Sequence, residues 1–304
     1  MERILNIGEM TWFHCANPTQ KDLEEIKKTY DLHEIIEDDI SEVNTQDKVD
    51  LYDDSIFLVL HFPKFTKHWT YASNEFNIIL WKNFIVSLTT YATNHIEEIR
   101  QDYIESLKNW KEEFRTSSYY ILYTMIDVMY DKVLQALNKF KQDLSEVEKK
   151  VFSESKIDQA LIRTLTIKKR NAINLKHIMT PQEEILAELA KLLKELYHWD
   201  LDVYFEDLEY KHDKIMSNIA MVTESVETLY DSYNSLMTVK TNSMVAVLTI
   251  VTVIIWIMTF LTWLYGMNVA LPWQDFTRTF IILIWIMLSI WWWMLWYFSK
   301  KWWL

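Results

Sequence analysis

Near its C-terminus the chain carries two stretches without a charged side chain, Thr241 to Gln274 and Thr279 to Ser299, separated by a short segment that holds Asp275 and Arg278. Each contains enough consecutive apolar residues to cross roughly 30 Å of hydrocarbon as a helix. Val245 to Tyr265 is the apolar part of the first. As buried helices of a soluble protein, two such runs so close together would make an insoluble tail. Trp263, Tyr265, Trp273, Trp296, Tyr297, Trp302 and Trp303 crowd the run ends, as an aromatic belt at a membrane interface does. Two spans return the chain to the side it left. Lys240 precedes the first span, and Lys300 and Lys301 follow the second. The positive-inside rule therefore places the large N-terminal part and both termini in the cytoplasm, and the connecting loop outside.

This reading excludes several classes. A formal net charge of −12 argues against nucleic acid, whose binding rests on phosphate neutralisation by basic residues. The single cysteine, Cys15, allows no internal disulfide and no zinc site built on several thiolates. The first residues show no apolar stretch of a signal peptide. No nucleophile–base set, glycine-rich phosphate loop or histidine cluster points to an enzyme. His14 and Cys15 adjoin Trp12 and Phe13 and read as core or surface residues rather than ligands.

Residues 1–115 read as an α/β cytoplasmic domain. Ser55 to Phe62 and Phe76 to Leu88 have strand composition, and Lys21 to Tyr30 and His95 to Trp110 have helical patterning. Residues 116–244 read as a helical bundle with a stalk helix. Neither glycine nor proline occurs between Pro181 and Gly266. Ile215, Ile219, Val222, Val226, Leu229, Tyr233 and Leu236 recur at alternating spacings of four and three, a seam that needs a partner. Self-association along the stalk or an intramolecular bundle would each supply one. The pattern predicts one helix from near Leu201 to Tyr265, on the order of 100 Å long. The spans occupy 245–265 and 279–299, with an outer loop at 266–278 and a basic tail at 300–304. The fold class is an α+β membrane protein.

The same spacing continues into the first span through Asn242, Val245, Thr249, Thr252, Trp256, Thr259 and Trp263. Polar side chains within lipid favour helix interfaces or a water-filled lumen, and threonine can also bond back to its own helix. Neither span holds a carboxylate, histidine or lysine, so a proton relay at mid-membrane is not expected.

Gly266 is one of only two glycines in the chain, and it stands in Tyr265-Gly266-Met267-Asn268 just after the first span. Two C-terminal spans, a long helix before them, a large acidic cytoplasmic part and Gly-Met-Asn in this place resemble the CorA family of magnesium transporters. Asn242 to Ile250, Val203 to Asp207, Met179 to Leu186, Leu32 to Ile40 and the tail Ser299 to Leu304 also resemble that family's segments. The resemblance implies a funnel-shaped homopentamer in the cell membrane. The first span would line the pore, and Gly266, Met267 and Asn268 would form a selectivity ring at the outer mouth. Mg²⁺ holds its waters tightly, so a ring of neutral oxygens can recognise the hydrated ion. Gly266 lets the backbone turn and approach closely, and it also suits a helix C-terminus. Asn242, Val245, Leu248, Thr252, Trp256 and Thr259 match pore-lining positions, with Leu248 at the apolar constriction. Asp39 with Asp207, and Asp38 with Asp127, match carboxylates that sense Mg²⁺ between protomers. Mg²⁺ is thus expected as cargo and as regulator, with Co²⁺ or Ni²⁺ as further cargo.

The chain departs from the family pattern in its pore. Trp256-Ile257-Met258-Thr259 replaces Met-Pro-Leu-Thr, and Trp263 replaces a common glycine. Either ten indoles crowd the lumen of a pentamer, or the helix rotates to pack them on the second span. The acidic residue after Pro272 is missing, with Asp275 nearby. Two alternatives follow: a proton-coupled zinc transporter of the ZntB type, and a non-conducting Mg²⁺-sensing homologue.

Overall fold

The computed structural model describes residues 4–7, 9–30, 32–42, 44–67, 70–90, 94–107, 117–153, 159–197, 201–267 and 277–300. Two compact units divide at Leu229 and Tyr230.

The first unit is built on a six-stranded mixed sheet of β1 (Ile4–Ile7), β2 (Met10–Ala16), β3 (Lys48–Tyr52), β4 (Ser55–Phe65), β5 (Tyr71–Trp81) and β6 (Phe84–Thr89). Its order is β1-β2-β6-β5-β4-β3, with only the β2–β6 pair parallel. The run Phe76 to Leu88, which reads as one strand in the sequence, is two. Trp81 pairs with Phe84 across Lys82 and Asn83, and this hairpin turn lacks the glycine that usually marks one.

Side chains alternate between the faces of a strand. Phe57, Val59, Ile79, Val86 and Leu88 pack with Ile26 of α1 (Gln20–Thr29), Ile36 of α2 (Glu34–Asp39), and Leu32, Ile40 and Cys15. A capping box starts α1: Thr19 N–H donates to Asp22 Oδ2 at 2.8 Å, and Asp22 N–H donates back to Thr19 Oγ1 at 3.4 Å. Other strand residues meet the helices that follow α3 (Asn94–Leu107). Phe62 is edge-on to Tyr130 of α4 (Ser118–Ser153), and Asn171 of α5 (Gln159–Met179) accepts from Tyr71 N–H at 3.1 Å. Gln182, which opens α6 (Gln182–Tyr197), donates to the His61 carbonyl at 2.5 Å. With both faces covered, Ser55 to Phe62 is buried without interruption.

The next helix, α7 (Asp202–Tyr265), runs without a break for 64 residues, about 96 Å at 1.5 Å per residue. Ile215, Ile219, Val222, Val226 and Leu229 are buried within the single chain. Lys141 of α4 donates to Asn218 at 2.5 Å, and Lys169 of α5 lies 3.9 Å from Glu227. The expected self-association is therefore not needed over this part of the seam, because α4 and α5 flank it in the same chain. Leu236 is exposed.

The second unit contains the end of α7 and α8 (Thr277–Lys300). Both have windows long and apolar enough to cross a membrane, and only 11% and 6% of these windows are buried. They are not core helices of a soluble fold. Ile250 and Ile254 pack with Met294, flanked by Ile257, Met258, Ile290 and Phe298.

In the sheet, His14 is buried with Nδ1 3.0 Å from Ser87 Oγ, which also accepts from Trp12 Nε1 at 3.0 Å. Burial, opposed by the bond to the Ser87 carbonyl at 3.1 Å and reinforced by the Arg100 guanidinium, pushes His14 down to about 4. An unfolded chain takes up this proton at about pH 6.5, so stability falls as pH drops from there toward 4. The expected loss is about 3 kcal/mol. Melting curves of wild type and His14→Gln at pH 7 and pH 4.5 should show a smaller acid shift in the variant.

Candidate cation path and sensor residues

At the end of α7, the residues packed on α8 and the residues expected to line a pore occupy different sides. At 3.6 residues per turn, Ile250, Ile254 and Ile257 lie opposite Val245, Leu248, Thr252, Trp256, Thr259 and Trp263. Leu248 is 66% exposed, Trp256 69% and Trp263 70%. Asn242 is exposed on the same helix. The two tryptophans therefore do not turn onto the second span; Trp256 stacks on Phe260 at 6.2 Å instead. The threonine hydroxyls donate to their own helix: Thr249 to the Val245 carbonyl at 2.8 Å, Thr252 to Leu248 at 2.7 Å and Thr259 to Ile255 at 2.8 Å.

The helix ladder extends to Gly266, whose N–H donates to Thr262 O at 3.0 Å and Trp263 O at 3.2 Å. Its φ lies outside the left-handed range, so it is not the left-handed glycine cap. A Cβ there would lie 3.2 Å from Thr262 O. Met267 is exposed. Asn268, Trp273 and Asp275 lie outside the described residues, as do Lys301, Trp302 and Trp303.

The carboxylates expected to sense Mg²⁺ fall into two groups. Asp39 ends α2, and Lys48 of β3 pairs with it at 2.5 Å. Asp38 is exposed beside it. The other two share one cluster. Tyr123, Asp127 and Asp131 follow one another at four-residue spacing on α4, and Asp207 and Lys211 do so on α7, which places each set on one helix face. Tyr123 Oη donates to Asp207 Oδ2 at 2.9 Å. Lys211 pairs with Asp127 and lies 3.2 Å from Asp131 Oδ1. Within one chain, then, Asp127 stands with Asp207, while Asp39 stands apart with its lysine. The role of Lys48 and Lys211 was not legible in advance. Only the i, i+4 recurrence of acids in Tyr123 to Asp131 hinted at a charged face.

Burial raises the Asp127 carboxyl; the Lys211 ammonium opposes this, and Asp131 and Asp207 add to it. Burial would lower Lys211, but bonds to and charges of Asp127 and Asp131 outweigh it and raise its pKa. Tyr123 is raised by burial and then by its bond to Asp207. Among the described residues no group of three or more His, Cys, Asp or Glu has the arrangement of a ready-made metal site.

A mixed-sheet domain, a helix of this length continuing into an apolar window, and a second apolar helix define a class: a membrane protein with a large soluble part and two C-terminal spans. A family model described as CorA-like Mg²⁺ transporter protein matches residues 8–301, and the chain belongs to that family. The cobalt/magnesium transport protein CorA of Thermotoga maritima is 26% identical over 229 residues, 75% of this chain and 62% of that protein. The match thus spans less than two thirds of the relative's length. Among solved structures, the CorA magnesium transporter from Methanocaldococcus jannaschii superposes with a TM-score of 0.82 at 19% identity, covering 97% of this chain and 92% of that one. The cytoplasmic domain of ZntB from Vibrio parahaemolyticus gives 0.52 at 18% identity, covering 77% and 87%. These two likenesses establish the shared fold.

Lys211→Gln leaves Asp127 and Asp131 facing each other without their ammonium. The expected cost is on the order of 1–2 kcal/mol, reduced from a buried pair's by solvent access. Melting temperature of the purified variant against wild type at pH 7 reads it, and Asp127→Asn in the same chain should restore most of the loss.

Proposed function

We propose that the chain is a divalent-cation transporter of the CorA type. It assembles as a homopentamer in the cell membrane and imports Mg²⁺, with Co²⁺ or Ni²⁺ as further cargo, along the membrane potential. The family match over residues 8–301, which takes in both spans and Gly266-Met267-Asn268, carries this reading. The face of α7 turned away from α8 supports it, since one chain leaves Val245, Leu248, Trp256 and Trp263 uncovered. In a ring of five, that face lines the path. Leu248 forms an apolar constriction that closes by dewetting, and Asn242 stands at the cytoplasmic mouth. Asn268 accepts from the waters of the hydrated ion.

Regulation by cytoplasmic Mg²⁺ falls to Asp39 and Asp207, and to Asp38 and Asp127, facing one another between protomers. Like charges on facing surfaces repel unless a divalent ion bridges them, so high Mg²⁺ holds the closed state and low Mg²⁺ releases it. In this chain Lys48 and Lys211 already partner Asp39 and Asp127. An arriving ion must displace an ammonium, which lowers the apparent affinity.

A second reading, a non-conducting Mg²⁺ sensor, is favoured by Trp256 and Trp263 on the exposed face. Uptake into liposomes with a negative-inside K⁺ diffusion potential and a Mg²⁺ reporter dye decides between them. Transport that is lost in Asn268→Ala supports the transporter. No uptake from folded pentamers at low internal Mg²⁺, restored by Trp256→Met with Trp263→Gly, identifies a plugged pore. In limited proteolysis, Asp39→Ala with Asp207→Ala should abolish most of the protection that millimolar Mg²⁺ gives; unchanged protection removes both residues from sensing.

A further inference from the structure

Behind Asp39 the fold buries a charged cluster that no role above uses. His61 of β4 stands directly opposite Glu75 of β5, and both are buried. Asn44 and Asp47, which precede β3, reach them. His61 Nδ1 is 2.6 Å from Asp47 Oδ1, and its Nε2 is 3.1 Å from the Asn44 carbonyl oxygen. A carboxylate and a carbonyl only accept hydrogen bonds. A neutral imidazole carries one N–H, so it would set a ring lone pair against one of these oxygens. The imidazolium donates at both nitrogens and satisfies both.

Asn44 is held a second time. Its backbone N–H and its Nδ2 donate to Glu75 Oε1 at 3.3 and 3.0 Å, and Asn77 Nδ2 donates to the same oxygen at 3.0 Å. Asn44 Nδ2 also donates to the Asp39 carbonyl at 3.0 Å. A continuous line of bonds thus runs from the His61 ring through Asn44 to the last residue of α2.

We propose that His61 is a positioning residue: as a buried imidazolium it latches the Asn44–Asp47 segment to the sheet, thereby holding Asp39, and the latch opens when the ring loses its proton. The charged groups facing the ring are Asp47 from the segment and Glu75 from β5. Tyr130 of α4 lies within the field of Asp47, and Gln182 of α6 fixes the His61 carbonyl. Burial alone would remove the proton. The bond to and charge of Asp47, then the Asn44 carbonyl and Glu75, outweigh burial and raise His61 above its usual range. The sign follows: the latch is fully formed below about pH 6.5, the unfolded value, and is lost as pH rises through the raised folded value. Its effect on metal sensing rests on the role given above to Asp39.

Hydrogen exchange of the full chain in detergent micelles, read by mass spectrometry over roughly pH 6 to 9.5 and corrected for intrinsic rates, tests the latch. In wild type, protection of the peptide covering 44–47 should fall about tenfold in one titration step. His61→Gln, which has a single donor group and no charge to lose, should show no step. Asp47→Asn should move the step to lower pH by about one unit or more. A flat wild-type profile, or the same step in His61→Gln, overturns the proposal; should His61→Gln not fold, an unmoved step in Asp47→Asn overturns it. Proteolytic protection by Mg²⁺ is measured over the same range. Protection that fades with the step ties the latch to sensing, and protection indifferent to the step breaks that tie. No protection at any pH, with the step present, overturns the sensor reading and leaves the latch standing.

Discussion

The unbroken backbone ladder of α7 is the constraint on which the other parts depend. Apart from its first and last turns, α7 from Asp202 to Tyr265 satisfies its peptide groups within the helix. In the soluble bundle this merely saves the side chains from capping work. In hydrocarbon it is compulsory, because nothing there can satisfy an open N–H or C=O. A helix that passes from one solvent to the other must therefore change its side chains without changing its backbone. The sequence does this. Ile215 to Leu229 forms a single buried stripe among polar neighbours, whereas Val245 to Tyr265 is apolar around most of its circumference.

Charge is organised just as locally. Asp39, Asp127 and Asp207 each have a partner in their own chain: Lys48, Lys211 and the Tyr123 hydroxyl. Each of these carboxylates is thus met by a donor of its own chain. The Asp47–His61–Asn44–Glu75 set applies the same rule more deeply, with a histidine in place of a lysine.

Much of this was legible because it is periodic. The two spans, the extent of α7 and the helices α1 and α3 follow from spacing and from the lack of breakers. What stayed hidden depends on the third dimension. The β5–β6 hairpin was invisible because Asn83 in the Lys82-Asn83 turn is not followed by the glycine that usually completes the signal. The bundle's claim on the α7 seam could not be told from self-association, since both bury the same residues. The lysine partners of Asp39 and Asp127 lie nine and 84 residues away in sequence, beyond any local pattern. The facing direction of Trp256 and Trp263 became clear only when Ile250 and Ile254 were found against Met294.

The back-bonded threonines have a consequence for which ions such a surface can tolerate. Thr249, Thr252 and Thr259 have each committed their hydroxyl hydrogen to a carbonyl of the preceding turn. What remains outward is a methyl group and an oxygen with free lone pairs. A hydrated cation turns its water hydrogens outward and can bond to that oxygen. A hydrated anion takes one hydrogen of each water, so its shell turns an oxygen and only one hydrogen outward and has fewer donors to offer that oxygen. A wall of this kind would favour cations over anions without carrying any charge of its own, and it would do so with side chains that cost little to place in lipid.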